Sequence, residues 1–156
     1  FCKEMDIHDI KRVQQAFVDA ARRCQQGGLD GIEVMAGSHL AGQFLAPNAN
    51  HRTDAYGGDF EGRSRFLLET LTMIREQVGP DFLVSVRMPS QENDGGVGLD
   101  DSMRLGRLMA EQGLVNFLNV YFGRMDAELG FAEQNMPGIS MPLAPWLEPV
   151  ERSKGV

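Results

Sequence analysis

The chain has 156 residues, 42% of them hydrophobic, which is enough for one domain with a core of its own. Twenty-two acidic residues outnumber fifteen basic ones and give a formal net charge of −7. Because no cluster of Lys and Arg offsets that charge, nucleic acid and anionic membrane are excluded as expected partners. The two cysteines, Cys2 and Cys24, match no disulfide framework or metal-ligand spacing. A small-molecule substrate and a cytoplasmic location are therefore expected.

Predicted helices and strands alternate along the chain. Apolar residues recur at helical spacing from Asp6, the expected N-cap, to Cys24, and the run LDGIEVM then predicts a strand. A loop of about two dozen residues follows, much longer than most strand-to-helix connections. Beyond it the pattern predicts a helix over 61–78, the strand DFLVSVRM, a helix over 101–112 and the strand VNFLNVYFG. A further helix is predicted to begin in APWLEPVERSKGV.

Strands that alternate with single helices require right-handed crossovers and a parallel sheet, which leaves an open doubly wound sheet or a (β/α)8 barrel. The glycine fingerprint of a dinucleotide-binding open sheet is missing after the first strand, where the sequence reads VMAGSHLAGQF. The long loop there suits the rim of a barrel, because barrel enzymes carry their chemistry on strand-to-helix loops. We therefore expect an α/β fold and a single partial (β/α)8 barrel domain over residues 1–156, truncated at both ends.

The predicted strands have two unlike faces, because successive side chains of a strand point to opposite sides. One face is aliphatic and is expected to pack on helices. The other gathers side chains that are costly to bury unless they are paired or used: Glu33, Ser85, Arg87, Asn119 and Tyr121. They form either an internal polar network, for example Glu33 with Arg87, or a functional site. Arg87 favours a functional site because it is predicted to lie at the end of its strand, nearest the rim.

The segment GLDGIEVMAGSHLAGQFLAPNANHRTDAYGGDFEGRSRF, followed by VGPDF and VSVRM, resembles the Old Yellow Enzyme-like family of NADH:flavin oxidoreductases. The likeness is to the branch of 2,4-dienoyl-CoA reductase, trimethylamine dehydrogenase and N-methyl amine demethylases. It implies that these strands are roughly the fourth to sixth of the barrel, with FMN at its mouth. The implied activity is hydride transfer through flavin N5, on an enoyl/enone-like substrate or an N-methylated amine.

The resemblance also implies NAD(P)H as a candidate reductant, an iron–sulfur cluster as a candidate in a further domain, and a homo-oligomeric complete protein. Arg87 matches the arginine that lies against the N1/O2 edge of the flavin, a task suited to a planar, always protonated guanidinium. His39 falls where the family keeps His or Tyr residues that face the substrate, and imidazole can donate or accept a proton near neutral pH. The expected site comprises catalytic His39, cofactor-binding Arg87 and a substrate pocket of Met35, Gly37, Ser38, Tyr121 and Arg124.

The string HRTDAYGG is predicted to be structural, with Arg52 paired to Asp54, Tyr56 packed beneath and a glycine turn at positive φ. On this interpretation the long loop is a braced segment of the rim whose first residues reach the substrate. A competing hypothesis from another class is a non-catalytic, truncated barrel segment that binds no flavin on its own.

Overall fold

The computed structural model of the chain describes residues 3–37, 39–92, 95–123, 138–139, 141, 144 and 147–153. The helices and strands among them are, in chain order, α1 (Ile7–Gln26), β1 (Gly31–Met35), α2 (Leu40–Leu45), α3 (Phe60–Val78), β2 (Leu83–Gln91), α4 (Leu99–Glu111), β3 (Phe117–Phe122) and α5 (Leu147–Ser153). In this described part of the chain, no helix is long and apolar enough to cross a membrane.

The three strands form one parallel sheet in the order β1-β2-β3. Met35 of β1 pairs with Arg87 of β2, which in turn pairs with Asn119 of β3. Strands adjacent in sequence are therefore adjacent in space, each joined to the next by a helical crossover. This confirms the predicted alternation of helices with parallel strands.

Local sequence signals fix where the long helices begin. Asp6 caps α1 by accepting a hydrogen bond of 2.9 Å from the backbone N–H of Asp9, whose own side chain completes a capping box. Asp59 caps α3 in the same way, through the N–H of Gly62 at 2.9 Å. The predicted N-cap of the first helix is thus confirmed, and the helices predicted from residues 61 and 101 begin one and two residues earlier.

The aliphatic face of the sheet is buried under the helices. Val84 and Val86 of β2 are fully buried in a cluster that includes Ile10 of α1 and Phe66 of α3. The opposite face leaves Glu33, Arg87 and Asn119 exposed. The two predicted faces are therefore present, and the polar one is the accessible one.

Two elements differ from the sequence prediction. The long loop contains the helix α2, which at six residues is too short to show a helical repeat and has Gly42 in its middle. Strand β2 runs to Gln91, three residues beyond the predicted end, and passes through Pro89 at an irregularity in its pairing with β3. Arg87 therefore lies inside its strand and not at its end, although it is level with the last residue of β1.

Candidate functional site

A row of three side-chain positions crosses the accessible face of the sheet. Met35, Arg87 and Asn119 are register partners on neighbouring strands, with Glu33, Ser85 and Phe117 two residues earlier on the same strands. Glu33, Arg87 and Asn119 are exposed, whereas Ser85 is 2% exposed and its hydroxyl donates to the carbonyl of Ile32 at 3.3 Å. Ser85 is thus satisfied by backbone, and the accessible polar groups are on the other residues.

Arg87 is the cation of this face. It forms no ion pair with any residue that the structure describes. Its guanidinium carbon lies 5.6 Å from the centre of the Tyr121 ring, a distance at which the ring quadrupole attracts a cation. The guanidinium is therefore held beside an aromatic ring, with its hydrogen-bond donors available to an anionic or carbonyl-bearing ligand.

The pairing of Glu33 with Arg87, one of the two alternatives from the sequence, does not occur among the described residues. Glu33 instead accepts a hydrogen bond of 2.9 Å from the side-chain amide of Asn119. In the sheet Glu33 lies opposite Ser85, and Met35 is the β1 residue opposite Arg87. The acid is therefore paired with a neutral group, and the charge of Arg87 is not cancelled by it.

Gly37 and Tyr121 meet where the chain leaves β1. A Cβ atom at Gly37 would overlap the hydroxyl oxygen of Tyr121 and lie 2.6 Å from its Cζ. Glycine is thus the residue that lets β3 present a tyrosine at this point. The structure thus places Gly37 against Tyr121, Tyr121 beside Arg87, and Met35 opposite Arg87 in the sheet.

His39 lies two residues beyond Gly37, as the N-cap of α2. Its backbone N–H donates to the carbonyl of Gly37 at 2.6 Å, and its side chain makes no capping hydrogen bond. The residue is exposed. Ser38 and Arg124, the other two predicted pocket residues, lie outside the described residues.

The segment that follows is braced as the sequence predicts. The guanidinium of Arg52 binds the carboxylate of Asp54, with Nε 3.0 Å from Oδ1, and also donates to the carbonyl of Met5 at 2.8 Å. Tyr56 is 4% exposed, and Gly58 has a φ of +78°. The structural role predicted for HRTDAYGG is thus supported by its contacts.

Arg63 is a brace that the sequence interpretation missed. Its guanidinium donates to the carbonyl of Leu45 at 3.1 Å, to the carbonyl of Gly58 at 2.7 Å and to the carboxylate of Asp101 at 2.7 Å. It therefore connects the end of α2, the glycine turn and the start of α4. The string GRSRF was the available signal, but its spacing does not reveal which carbonyls it reaches.

The carboxylate of Glu69, which contacts Tyr56 of the HRTDAYGG segment, accepts hydrogen bonds from three side chains. Glu69 Oε2 accepts from Lys11 Nζ at 2.9 Å, Gln14 Nε2 at 3.0 Å and the hydroxyl of Tyr56 at 2.8 Å. Burial of the carboxylate acts to raise its pKa, but the hydrogen bonds and the charge of Lys11 outweigh that effect, so the pKa of Glu69 is lowered. The group ties α1, α3 and the rim segment together while it is ionised.

A hollow of about 470 Å³ lies beside the rim segment, between the start of α1 and α2. Its lining includes Leu40, Gln43, Asn50 and Arg52, and none of Met35, Arg87 or Tyr121. Within the described residues no group of three or more His, Cys, Asp or Glu side chains could hold a metal ion. The hollow is thus separate from the row of Met35, Arg87 and Asn119 on the accessible face of the sheet.

Comparison with protein families gives a match over residues 1–118 to the model described as the NADH:flavin oxidoreductase / NADH oxidase family. The chain is 48% identical, over 143 residues, to the multifunctional alkene reductase/demethylase OYE of Caballeronia cordobensis, covering 90% of the chain and 21% of that protein. It is 39% identical over 148 residues to the N,N-dimethylglycine/sarcosine dehydrogenase of Chromohalobacter salexigens, covering 94% and 21%. The chain thus spans about a fifth of the length of each of these two relatives.

Solved structures match the whole arrangement. A 2-naphthoyl-CoA reductase in complex with 2-naphthoyl-CoA superposes with a TM-score of 0.83 at 29% identity, covering 99% of this chain and 23% of that one. The Old Yellow Enzyme from a Pichia species gives a TM-score of 0.65 at 30% identity, covering 76% and 34%. The predicted fold class is confirmed, since the chain is an α/β portion of a (β/α)8 barrel with three parallel strands.

Proposed function

Because this chain belongs to the NADH:flavin oxidoreductase / NADH oxidase family, we propose that it forms roughly the fourth to sixth strands of the barrel of an FMN-dependent oxidoreductase. The family description names both NADH and flavin. The proposed reaction is hydride transfer through a bound flavin, either from NAD(P)H as reductant to an enoyl/enone-like substrate, or from an N-methylated amine, which is then itself the reductant. Iron–sulfur chemistry, homo-oligomerisation and a cytoplasmic location stay predictions from the sequence.

The observation that carries the proposal is the position of the Arg87 guanidinium and its lack of an ion-pair partner among the described residues. The guanidinium lies on the accessible polar face, level with the last residue of β1, and its carbon lies 5.6 Å from the centre of the Tyr121 ring. Within the described residues no carboxylate pairs with it. A cation that the surrounding chain has left without a counter-charge suits a ligand that gains negative charge in the reaction.

The chemistry of Arg87 fits a bound flavin. A bound flavin supplies a centre that accepts and releases hydride, which no protein side chain offers. Arg87 would hold its electron-rich edge, since the guanidinium stays protonated and can meet two acceptors together. Glu33 accepts a hydrogen bond from Asn119, and among the described residues it forms no ion pair with Arg87.

His39 would act on the substrate and not on the flavin. The residue begins α2, directly after the segment that leaves the accessible face at Gly37, and its imidazole is exposed. An imidazole there can donate a hydrogen bond to a substrate carbonyl or take the proton of an amine. Met35, Gly37 and Tyr121 would form the wall of the pocket, with Ser38 and Arg124 proposed from the sequence alone.

The substrate class rests on the names of the relatives. The Caballeronia protein is named for both alkene reduction and demethylation, and the Chromohalobacter protein for N,N-dimethylglycine and sarcosine. Both reactions move a hydride equivalent, and both substrates need one polar group held near the reacting carbon. We therefore propose that the same accessible face serves either substrate class, with His39 contacting the polar group.

The test is flavin binding by the full-length protein, followed by reduction. A purified protein with the visible absorbance of an oxidised flavin, bleached by NADH or NADPH and restored by an enone or by oxygen, would support the proposal. A full-length protein that binds no FMN would refute it in favour of the non-catalytic alternative. A colourless 156-residue segment beside a yellow full-length protein would confine that alternative to the segment.

A further inference from the structure

The contact between Gly37 and Tyr121 is part of a continuous stack that crosses the candidate site. A Cβ atom at Gly42 of α2 would lie 2.7 and 2.8 Å from the backbone carbon atoms C and Cα of Gly37. On another side, the hydroxyl oxygen of Tyr121 occupies the position of a Cβ at Gly37. The backbone at Gly37 is therefore confined between α2 and the tyrosine.

The same tyrosine also contacts the cation of the face. Its ring lies 5.6 Å from the guanidinium carbon of Arg87, and its hydroxyl oxygen is buried. One aromatic side chain thus contacts both the proposed flavin-binding cation and the backbone that leads into α2. Only one residue separates Gly37 from His39, the N-cap of α2.

We propose that Tyr121 is a positioning residue: its ring and hydroxyl fix the backbone at Gly37, and through it the imidazole of His39, relative to Arg87. The inference rests on the proposed function and adds to it a residue of β3 that acts through another residue. Glycine at position 37 is then a requirement of the tyrosine, because any side chain there drives the two strands' ends apart. The pair fixes the distance between the substrate contact and the cofactor contact.

The test is a double-mutant cycle in the full-length, FMN-loaded enzyme, in which a side chain added at position 37 is compensated by a smaller one at position 121. Gly37→Ala should displace Tyr121 and slow the substrate half-reaction by about a hundredfold, the cost of misplacing a catalytic group by about 1 Å. Flavin content should stay near the parent level, because Arg87 keeps its charge and its hydrogen-bond donors. Adding Tyr121→Leu, which removes the clashing hydroxyl and Cζ, should return at least about tenfold of the lost rate, a non-additive effect typical of residues in contact.

Two further variants serve as controls. Gly98→Ala introduces a methyl group at a glycine with open space around it and should leave the half-reaction unchanged. Tyr121→Phe keeps the ring against Gly37 and should lie closer to the parent than Tyr121→Leu alone. If Gly37→Ala does not fold, kcat and KM of Tyr121→Phe and Tyr121→Leu test the positioning role instead. The role is supported if Tyr121→Leu lowers kcat more than Tyr121→Phe does, and it is overturned if the two variants have equal kcat.

Three results separate the hypotheses. Rate losses that multiply in the double variant, or equal rates for all FMN-loaded variants with only a lower Tm, would overturn the positioning role and leave the proposed function standing. A parent protein that binds FMN, together with variants whose rates change as described, would support both the proposed function and the positioning role. A parent that binds no FMN would overturn the proposed function and this inference with it.

Discussion

Replacing Arg87 by Met in the full-length enzyme should lower the potential of the bound flavin. Methionine keeps much of the length of arginine but removes its charge and donors. In the structure Arg87 has no carboxylate partner among the described residues and one aromatic neighbour at 5.6 Å. The substitution therefore strands no buried anion, and the stability lost should be near the about 0.5–1 kcal/mol of an exposed cation–π contact.

The loss at the cofactor should be larger. A hydrogen bond to a charged group is worth about 1.5–3 kcal/mol. For a two-electron couple, in which 30 mV corresponds to about 1.4 kcal/mol, that loss lowers the potential by about 30 to 65 mV. The reason for the sign is that the guanidinium stabilises the reduced, more negative flavin, so its removal disfavours reduction.

The measurement is a redox titration of parent and variant, both fully loaded with FMN. Arg87→Lys should retain part of the effect, since it keeps the charge and loses the bidentate geometry. Arg107→Met, on an exposed position of α4, is the matched control and should not change the potential. Equal potentials for parent and Arg87→Met, combined with a Tm loss larger than a cation–π contact explains, would show that Arg87 is structural and that the flavin contact is wrong.

Four other predictions concern the substrate contact, the stability of the rim segment and the isolated chain. His39→Ala in the full-length enzyme should slow the substrate half-reaction while FMN content, read from absorbance, stays the same; parallel loss of FMN would assign His39 a structural role. Tyr56→Phe removes one donor from the Glu69 carboxylate and should lower the free energy of unfolding by about 1.5 kcal/mol, measured by urea denaturation. Because the folded pKa of Glu69 is lowered, the stability it contributes is present above its unfolded pKa and is lost as the pH falls through the folded pKa. The difference in free energy of unfolding between parent and Glu69→Gln should therefore shrink in acid. A difference that stays constant with pH would show that the charge is irrelevant. The isolated 156-residue chain should self-associate, since a three-stranded sheet leaves both edges unpaired; a monodisperse monomer in sedimentation velocity would contradict this.

Helix ends and the two faces of the sheet could be predicted from local signals. Asp6 and the glycines after the first helix mark its limits because capping and positive φ depend on residues only a few positions apart. The alternation in DFLVSVRM separates Val84 and Val86 from Arg87 because the period of a strand is fixed at two. These features needed no knowledge of what the chain packs against.

Partners across the sheet could not be predicted in this way. The sequence placed Glu33 and Arg87 on one face and offered their pairing as one alternative, but Glu33 lies opposite Ser85 and its carboxylate accepts a hydrogen bond from Asn119. The continuation of β2 through Pro89 was missed because a proline usually ends a central strand, and its tolerance here depends on the irregular pairing with β3. Both outcomes depend on how one strand is shifted against the next.

The sequence by itself determined the family, the alternation of helices with parallel strands, and the polar composition of one sheet face, because motif order and residue periodicity are local properties. Only the tertiary structure decided which of those polar residues are neighbours. Gly37 and Tyr121 lie 84 positions apart in sequence, and no pattern in either segment indicates that a hydroxyl from β3 fills the space of a missing side chain after β1. Such a contact arises from the packing of three strands and a short helix, since the atoms that make it are brought together only when the sheet forms.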